Sequence, residues 1–276
     1  MSEVFSADLG NDKDRQVCRS PRLLPCRLDA LQSALRAAAD PGYLAFGNRL
    51  QPGIDNRIGV RMPVIRRLAK RVLKENPCDF LQEALSCRDW LGTQEAVMLT
   101  GIVLAGAKLT LTERLGYLQK LLPYLDGWAT VDLMGGELKQ FREASSLTDD
   151  FLISLLESNR PMKIRLGLVL LLKQRATADW LPKSLATVER TGACRMSTVY
   201  LVSMGLAWCW ATLYATDPVL VAQRLEQVVT AGRMDSETLA RTLQKVRDSR
   251  RIPSVEKAAL TARFAGWLAS SRSKLA

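Results

Sequence analysis

The chain has 276 residues, and its 39 Lys and Arg outnumber its 28 Asp and Glu, so the formal net charge is +11. This length is sufficient for one large domain or for a repeat array with a sizeable core. The positive excess favours a polyanionic partner, such as nucleic acid or an anionic membrane. Charge that serves only solubility is the alternative.

The cysteines and the N-terminus restrict the site chemistry and the location. The chain has no histidine, and none of its six cysteines forms a C-x-x-C pair, which argues against a structural zinc site. We interpret the cysteines as reduced thiols of a cytoplasmic protein. Residues 1–27 lack a periodic apolar pattern and begin with a polar stretch unlike a secretory signal, so a disordered tail is predicted there. Residues 28–276 are predicted to form a single domain.

Helical spacing of apolar residues continues through most of the remaining chain. Residues 63–74 show it most clearly, because one face is apolar and the other faces carry cations. Further helices are predicted over residues 28–39, 79–87, 93–106, 112–124, 127–140, 148–158, 161–174, 178–188, 196–214, 217–229, 236–247 and 254–270. Turn-forming residues separate these segments, and no segment alternates like a strand. The sequence therefore predicts an all-α fold.

One uncharged segment has the length of a membrane span. No charged residue occurs between Met196 and Thr216, which is compatible with a transmembrane helix. Serine, threonine and glycine interrupt the segment, and it is the only one of its kind in the chain. A helix buried between other helices is predicted instead, with no membrane partner.

Tryptophan and basic residues recur at a loose interval. Successive landmarks are separated by 38, 37, 43 and 37 residues, and they are Trp90, Trp128, Arg165, Trp208 and Lys245. These intervals are close to the roughly 40 residues of a two-helix HEAT-like repeat. Such repeats stack into a solenoid, and residues that recur at the repeat interval line up along its concave face. Tryptophans and arginines scattered by chance are the alternative.

One helical turn combines an aromatic ring with a carboxylate. Trp128 and Asp132 are four residues apart and share a helix face. Gly135 and Gly136 follow on that face and carry no side chains, so a vacant patch for a ligand is predicted. Because the chain has no histidine, carboxylates and aromatic rings are the leading candidates for any catalysis.

Two basic features of the sequence are suited to bind an anionic group, either a phosphate or a carboxylate. Arg165 precedes a long apolar run, where a buried arginine needs an anionic partner; a protein carboxylate is favoured over a phosphate. The segment 241–251 carries five cations against one acid, which suits a phosphate backbone or a solvated helix end. Trp208 shares a face with Tyr200 and Met204, and an ordinary core position is its alternative.

Taken in chain order, these features resemble the AlkD-like DNA alkylation repair family of HEAT-like repeat DNA glycosylases. The resemblance covers about residues 41–262, and the segments that carry it are Gly59-Val60-Arg61-Met62-Pro63, Trp128-Ala-Thr-Val-Asp132, Arg165 with its apolar run, YLVSMGLAW from Tyr200 to Trp208, and LQKVRDSRR ending at Arg251. It implies a right-handed superhelix with a basic concave groove for duplex DNA.

The resemblance also implies a reaction and roles for residues. Family members excise cationic N3- and N7-alkylated purines from double-stranded DNA without fully flipping the base, and they need no metal or organic cofactor. Asp132 would stabilise the positive charge on the deoxyribose, with Trp128 and Trp208 against the lesion's sugar and backbone. Phosphate contacts are expected from Arg61, Arg165, Lys245, Arg247, Arg250 and Arg251.

A monofunctional alkylpurine DNA glycosylase that acts as a monomer in base excision repair is therefore the leading expectation. One rival is a non-catalytic protein that binds DNA structures through the same groove. The other is a protein-interaction solenoid whose basic face meets an acidic partner. Trp128, Asp132 and Trp208 favour the enzyme over the first rival, and the basic clusters favour DNA over the second.

Overall fold

The computed structural model describes residues 27–143, 145–190 and 194–273, with side chains as far as residue 269. This part of the chain contains fourteen α-helices and no strand, so the all-α prediction is confirmed. An isolated bridge joins Ala39 to Val60. The predicted tail lies outside the described residues except for Arg27, which begins the first helix.

The helices follow the predicted order, with short 3-10 turns between some of them. Their bounds are α1 Arg27–Ala37, α2 Pro41–Leu50, α3 Met62–Glu75, α4 Pro77–Ala84, α5 Gln94–Gly106, α6 Leu111–Leu121, α7 Trp128–Glu137, α8 Ser146–Leu156, α9 Pro161–Gln174, α10 Leu181–Arg190, α11 Tyr200–Tyr214, α12 Pro218–Thr230, α13 Ser236–Asp248 and α14 Ser254–Ser273. Predicted boundaries differ from these by a few residues, as expected for helix ends that fray.

The helices are arranged in two rows. From α3 to α13, each odd-numbered helix packs on the next odd-numbered helix, which gives a continuous odd-numbered row. Helices α4, α6, α8 and α12 pack along this row, and α10 packs on α12. Each helix pair buries its apolar faces against neighbouring pairs, as in stacked repeats. The fold is therefore an all-α helical-repeat solenoid.

Helix α11 explains the long uncharged segment. It packs between α9 and α13, and its Leu206 and Trp210 are fully buried. A helix that is apolar on every side is stable when other helices surround it, so the prediction of a buried helix is confirmed. Among the described residues, no helix is both long enough and apolar enough to cross a membrane.

Helix α2 is absent from the sequence-based prediction. None of its residues is buried, and Phe46 and Leu50 expose about half of their surface, at 48% and 51%. Its start is fixed by the Asp40 side chain, which accepts a hydrogen bond from the backbone of Tyr43 at 3.0 Å. Gly59 has a φ of 86° and lies against the backbone of Asp40, where a side chain would clash. The loop after α2 therefore runs back past the N-terminal end of this helix.

The cysteine interpretation needs one correction. Cys78 is disulfide-bonded, so the expectation that all six cysteines are reduced is wrong. Cys87, Cys194 and Cys209 are free. Burial raises the pKa of Cys194 to about 11 and that of Cys209 to about 12, so both remain neutral thiols.

Candidate active site

A cleft of about 380 Å³ brings together the residues on which the functional prediction depends. Its lining comes from α2, α7, α9, α11 and α13, and consists of Leu50, Trp128, Asp132, Arg165, Tyr200, Leu201, Met204, Trp208 and Lys245. Four of the five landmarks with the repeat interval are in this set, so they do line up along one face. Trp90 does not belong to it, because it is buried and donates to Thr100 Oγ1 at 2.9 Å.

Helix α7 positions the ring and the carboxylate. Trp128 is its first residue, and Asp132 follows one turn later, so both half-buried side chains face the cleft. The prediction of a vacant patch beside them is wrong for Gly135, where a Cβ would lie 2.5 Å from Val169 Cγ1. Gly135 instead allows α7 to approach α9. Only Gly136 faces open space, with no atom within 4 Å of a Cβ built there.

Arg165 holds the carboxylate from the neighbouring helix. Its Nε and Nη2 donate to Asp132 Oδ1 and Oδ2, both at 2.9 Å, and its Nη1 donates to the carbonyl oxygen of Leu201 at 2.9 Å. The Arg165 side chain is 8% exposed and that of Asp132 is 20% exposed. The sequence-based preference for a carboxylate partner is thus confirmed. These bonds use three of the five N–H groups of Arg165, so two remain for another acceptor.

Helix α11 contributes the second aromatic ring. Tyr200, Met204 and Trp208 line the cleft at intervals of one turn, as predicted, whereas Trp210 is fully buried on another face. Lys173 Nζ lies 4.8 Å from the centroid of the Trp208 ring. This ring therefore already accommodates one cation on its π face.

The predicted phosphate-contacting residues occupy three places, and Arg165 lies in the first of them, the cleft. Lys245 lines the cleft, while Arg247, Arg250 and Arg251 are exposed at the end of α13 and just beyond it. Arg61 precedes α3 and is outside the cleft lining; its side chain is 61% exposed.

Arg61 belongs to a small cluster at the base of α2. Its Nη2 donates to Asp40 Oδ2 at 2.7 Å, and its guanidinium lies 5.0 Å from the centroid of the Tyr43 ring. Hydrogen bonds from the Tyr43 backbone and from Arg61 lower the pKa of Asp40. Asp40 and Tyr43 therefore hold the Arg61 guanidinium in place, and the Asp40 carboxylate partly offsets its positive charge.

Two cleft residues escaped the sequence analysis. Leu50 was missed because α2 has no buried face, so its apolar spacing is weak. Leu201 acts through its backbone carbonyl, which no side-chain pattern reveals. Within the described part of the chain, no group of three or more cysteine, aspartate or glutamate side chains could hold a metal ion.

Comparison with known proteins gives one match. A family model described as DNA alkylation repair enzyme matches residues 31–242. That range includes Trp128, Asp132, Arg165 and Trp208, and it ends before the basic residues at the end of α13. Neither the curated proteins nor the solved structures gave a match. Because the matched range covers more than half of the chain, the protein belongs to the family of DNA alkylation repair enzymes.

Proposed function

We propose that the protein is a monofunctional DNA glycosylase that excises cationic N3- and N7-alkylated purines from double-stranded DNA. Family membership supports a role in alkylation repair. One observation carries the finer proposal: Asp132 shares a single cleft with the rings of Trp128 and Trp208. This arrangement matches the charge that develops during cleavage of an N-glycosidic bond.

The chemistry requires stabilisation of positive charge on the sugar. Alkylation at N3 or N7 makes the purine a cationic leaving group, which takes the electron pair of the C1′–N bond and departs neutral. The deoxyribose becomes oxocarbenium-like, a water molecule adds its oxygen to C1′, and a proton is released. A carboxylate near C1′ stabilises that cation and orients the water. Tryptophan π faces add to the stabilisation.

The local geometry lets Asp132 do this while Arg165 holds it. Each carboxylate oxygen has two lone pairs, and Arg165 uses one on each oxygen. The remaining lone pairs are available to a water molecule in the cleft. Because Arg165 fixes both oxygens of the Asp132 carboxylate, little reorganisation of this group accompanies the reaction.

Duplex DNA is the proposed partner, and the exposed cations are the proposed phosphate contacts. Arg247, Arg250 and Arg251 follow Lys245 in the chain and are exposed, whereas Lys245 lines the cleft. Such contacts position the duplex without reading its sequence. We propose that the protein acts as a monomer in the cytoplasm.

The Arg165–Asp132 pair also favours a second candidate, a DNA-binding protein without catalysis. A buried ion pair of this kind can simply fix the packing of neighbouring helices. In that case Trp128 and Trp208 would contact the DNA backbone, and no base would be released.

Single-turnover release of 7-methylguanine from duplex DNA tests the two candidates. We expect release by the wild type, and a rate lower by about 10²-fold for Asp132→Asn, since one electrostatic contribution is lost. Glu137→Gln is the matched control, because Glu137 lies on the same helix but pairs with Arg66 at 2.6 Å. DNA binding without release by the wild type would support the non-catalytic candidate, and equal rates would remove Asp132 from the mechanism.

A further inference from the structure

Three exposed cations of α3 form a stripe that lies outside the phosphate contacts proposed so far. They are Arg67, Lys70 and Lys74, and none of them lines the cleft. Their spacing of three and four residues puts them on one helix face. The buried residues of α3 lie on the opposite face and belong to the core. We call these three residues the outer stripe of α3.

No carboxylate offsets the charge of the outer stripe. Within the described part of the chain, none of its three residues forms an ion pair. Glu75 is the only acidic residue of α3, and it pairs with Arg27 at 2.5 Å and with Arg71 at 3.6 Å. Arg66, beside the stripe, pairs with Glu137 at 2.6 Å. The outer stripe is therefore a surface of uncompensated positive charge.

The arrangement of these charges opposes the stability of the helix. Lys70 lies four residues from both Arg66 and Lys74, so like charges are neighbours along α3. Pairs of this kind destabilise a helix. The first turn of α3 has no acidic residue and no side chain caps its N-terminus, so the helix dipole is not offset either. The buried apolar face therefore holds α3 against this repulsion, which a bound polyanion would relieve.

Helix α3 begins the odd-numbered row, two helices away from the start of the candidate active site. It packs on α5, and α5 packs on α7, which carries Trp128 and Asp132. Packed helices lie roughly 8–10 Å apart, so α3 is about 16–20 Å from α7. Arg66 nevertheless reaches Glu137 at the end of α7, which shows that the two helices converge on the side of the row where Arg66 lies. Lys70 follows Arg66 by one turn on that side.

The composition of the outer stripe favours a nucleic acid over a protein or a membrane. Protein interfaces are depleted of lysine and have an apolar centre, but none of the exposed large apolar residues in the described part of the chain belongs to α3. A membrane-bound helix needs a free apolar face, and the apolar face of α3 is buried in the core. A phosphate backbone requires only cations.

We propose that the outer stripe of α3 binds phosphates of the duplex about 5–6 base pairs from the base that is excised in the cleft. This distance follows from the separation of about 16–20 Å between α3 and α7 and from about 3.4 Å per base pair. Duplex DNA as the ligand rests on the proposed function, whereas the place of this contact on the duplex goes beyond it. Basic surfaces then hold the DNA at both ends of the odd-numbered row, at α3 and at the end of α13.

Fluorescence anisotropy with undamaged duplex DNA at several salt concentrations tests this contact. Each neutralised phosphate adds about 0.9 to the magnitude of the log–log slope, so replacing all three residues of the outer stripe by alanine should reduce that magnitude by about 2–3. The matched control is Lys108→Ala/Lys120→Ala/Arg190→Ala, which removes the same charge from exposed positions before α6, on α6 and on α10. The control should leave the slope unchanged. An unchanged slope in the outer-stripe variant, or an equal reduction in the control, would overturn the proposal.

Thermal unfolding of the same variants without DNA shows whether the outer stripe serves the fold instead. The melting temperature of the outer-stripe variant should stay unchanged or rise at low salt, because like-charge repulsion is removed. Its difference from the wild type should shrink as added salt screens the charges. A marked fall in the melting temperature would show that the three cations have stabilising partners, and it would overturn the proposal.

A duplex with 7-methylguanine on a 2′-fluorinated sugar fixes the position of the DNA, because fluorine disfavours positive charge on the sugar and so prevents excision. Each flank of the lesion is shortened in turn to about 3 base pairs, which is less than the expected distance to α3. The difference in slope between the wild type and the outer-stripe variant should vanish with one short flank and persist with the other. A difference that persists with both would overturn the proposed place of the contact.

The salt comparison uses undamaged DNA, so its outcome does not depend on catalysis. An unchanged slope in the outer-stripe variant together with release of 7-methylguanine by the wild type would overturn this contact alone. Absence of release together with a reduced slope in that variant would overturn the glycosylase proposal alone and support the contact.

Discussion

Arg165 and Asp132 form a bidentate ion pair between α9 and α7, with two nitrogen–oxygen distances of 2.9 Å. The Nη1 of Arg165 donates a further hydrogen bond to the carbonyl oxygen of Leu201 on α11, also at 2.9 Å. One guanidinium therefore ties three successive helices of the odd-numbered row at the floor of the cleft. The position of the carboxylate depends on the packing of all three helices.

Arg165→Lys should slow excision without weakening DNA binding. Lysine keeps the charge but lacks the planar fork, so Asp132 loses its fixed orientation. A misplacement of about 1 Å can lower a rate about 10²-fold, and we expect a loss of at least about tenfold. Single-turnover release of 7-methylguanine measures the rate, and fluorescence anisotropy measures the affinity for duplex DNA.

Arg160→Lys, at the exposed start of the same helix, is the control for this variant. The opposite pattern would assign Arg165 the phosphate contact predicted from sequence. In that case the rate with saturated enzyme would be unchanged, and the affinity for duplex DNA would fall, because lysine cannot hold a phosphate through two parallel hydrogen bonds.

Binding to duplex DNA should weaken steeply with salt. If about five phosphates are neutralised, the log–log slope of affinity against salt is expected near −4 to −5. Replacing Arg247 and Arg250 by alanine should reduce the magnitude of the slope by about two and act alike on all sequences. Lys108→Ala, at an exposed position before α6, should leave the slope unchanged. A wild-type slope near zero would contradict a basic DNA-binding surface.

The fold was largely predictable because most helices bury an apolar stripe. In α3, Ile65, Leu68 and Val72 are buried with the spacing read from the sequence. Helix α2 could not be predicted, since nothing in it is buried. The predicted helix over 127–140 was too long, because the backbone leaves the α-helix at Leu138 and continues as a 3-10 turn.

The candidate site was predictable only in part. The four-residue spacing of Trp128 and Asp132 fixes their shared face, and the repeat interval brought Trp208 to the same cleft. The sequence did not identify Arg165 as the partner of Asp132, because the two residues are 33 positions apart in the chain and their contact depends on how closely α7 and α9 approach.

Asp149→Asn should destabilise the fold in a pH-dependent manner. Asp149 contacts Arg175 and Lys183 at 2.5 Å, and the Arg175 side chain is only 3% exposed. Breaking a buried pair leaves a buried charge and costs about 3 kcal/mol at neutral pH. Urea unfolding of wild type and variant between pH 3 and pH 7 measures the free energy of unfolding.

The direction of the pH dependence follows from the pKa of Asp149. Burial raises this pKa, but hydrogen bonds from Lys183 and Arg175 outweigh burial and hold it below the ordinary 3.8. The unfolded chain is therefore protonated first as the pH falls. The stabilisation is complete above pH 3.8 and is lost as the pH falls through the lower native value. An equal effect of Asp150→Asn, at an exposed neighbour, would contradict this role.

Gly135→Ala and Gly136→Ala should have opposite effects on stability. A Cβ at Gly135 would lie 2.5 Å from Val169 Cγ1 and 3.3 Å from the Val169 carbonyl carbon, so α7 must move away from α9. Overpacking of this kind costs about 1–3 kcal/mol. A Cβ at Gly136 meets no atom within 4 Å, so alanine there should stabilise α7 by up to about 1 kcal/mol through its higher helix propensity. Thermal unfolding followed by circular dichroism measures both effects.

The same pair of variants should differ in activity, because the separation of α7 and α9 sets the Arg165–Asp132 contact. Gly135→Ala pushes the two helices apart one turn beyond Asp132, so excision of 7-methylguanine should slow by about tenfold or more. Gly136→Ala leaves that separation unchanged and should excise at the wild-type rate. Rates must be measured well below the melting temperature of the weaker variant, so that unfolding does not contribute. A normal rate in a destabilised Gly135→Ala variant would show that the reaction does not depend on the Arg165–Asp132 contact.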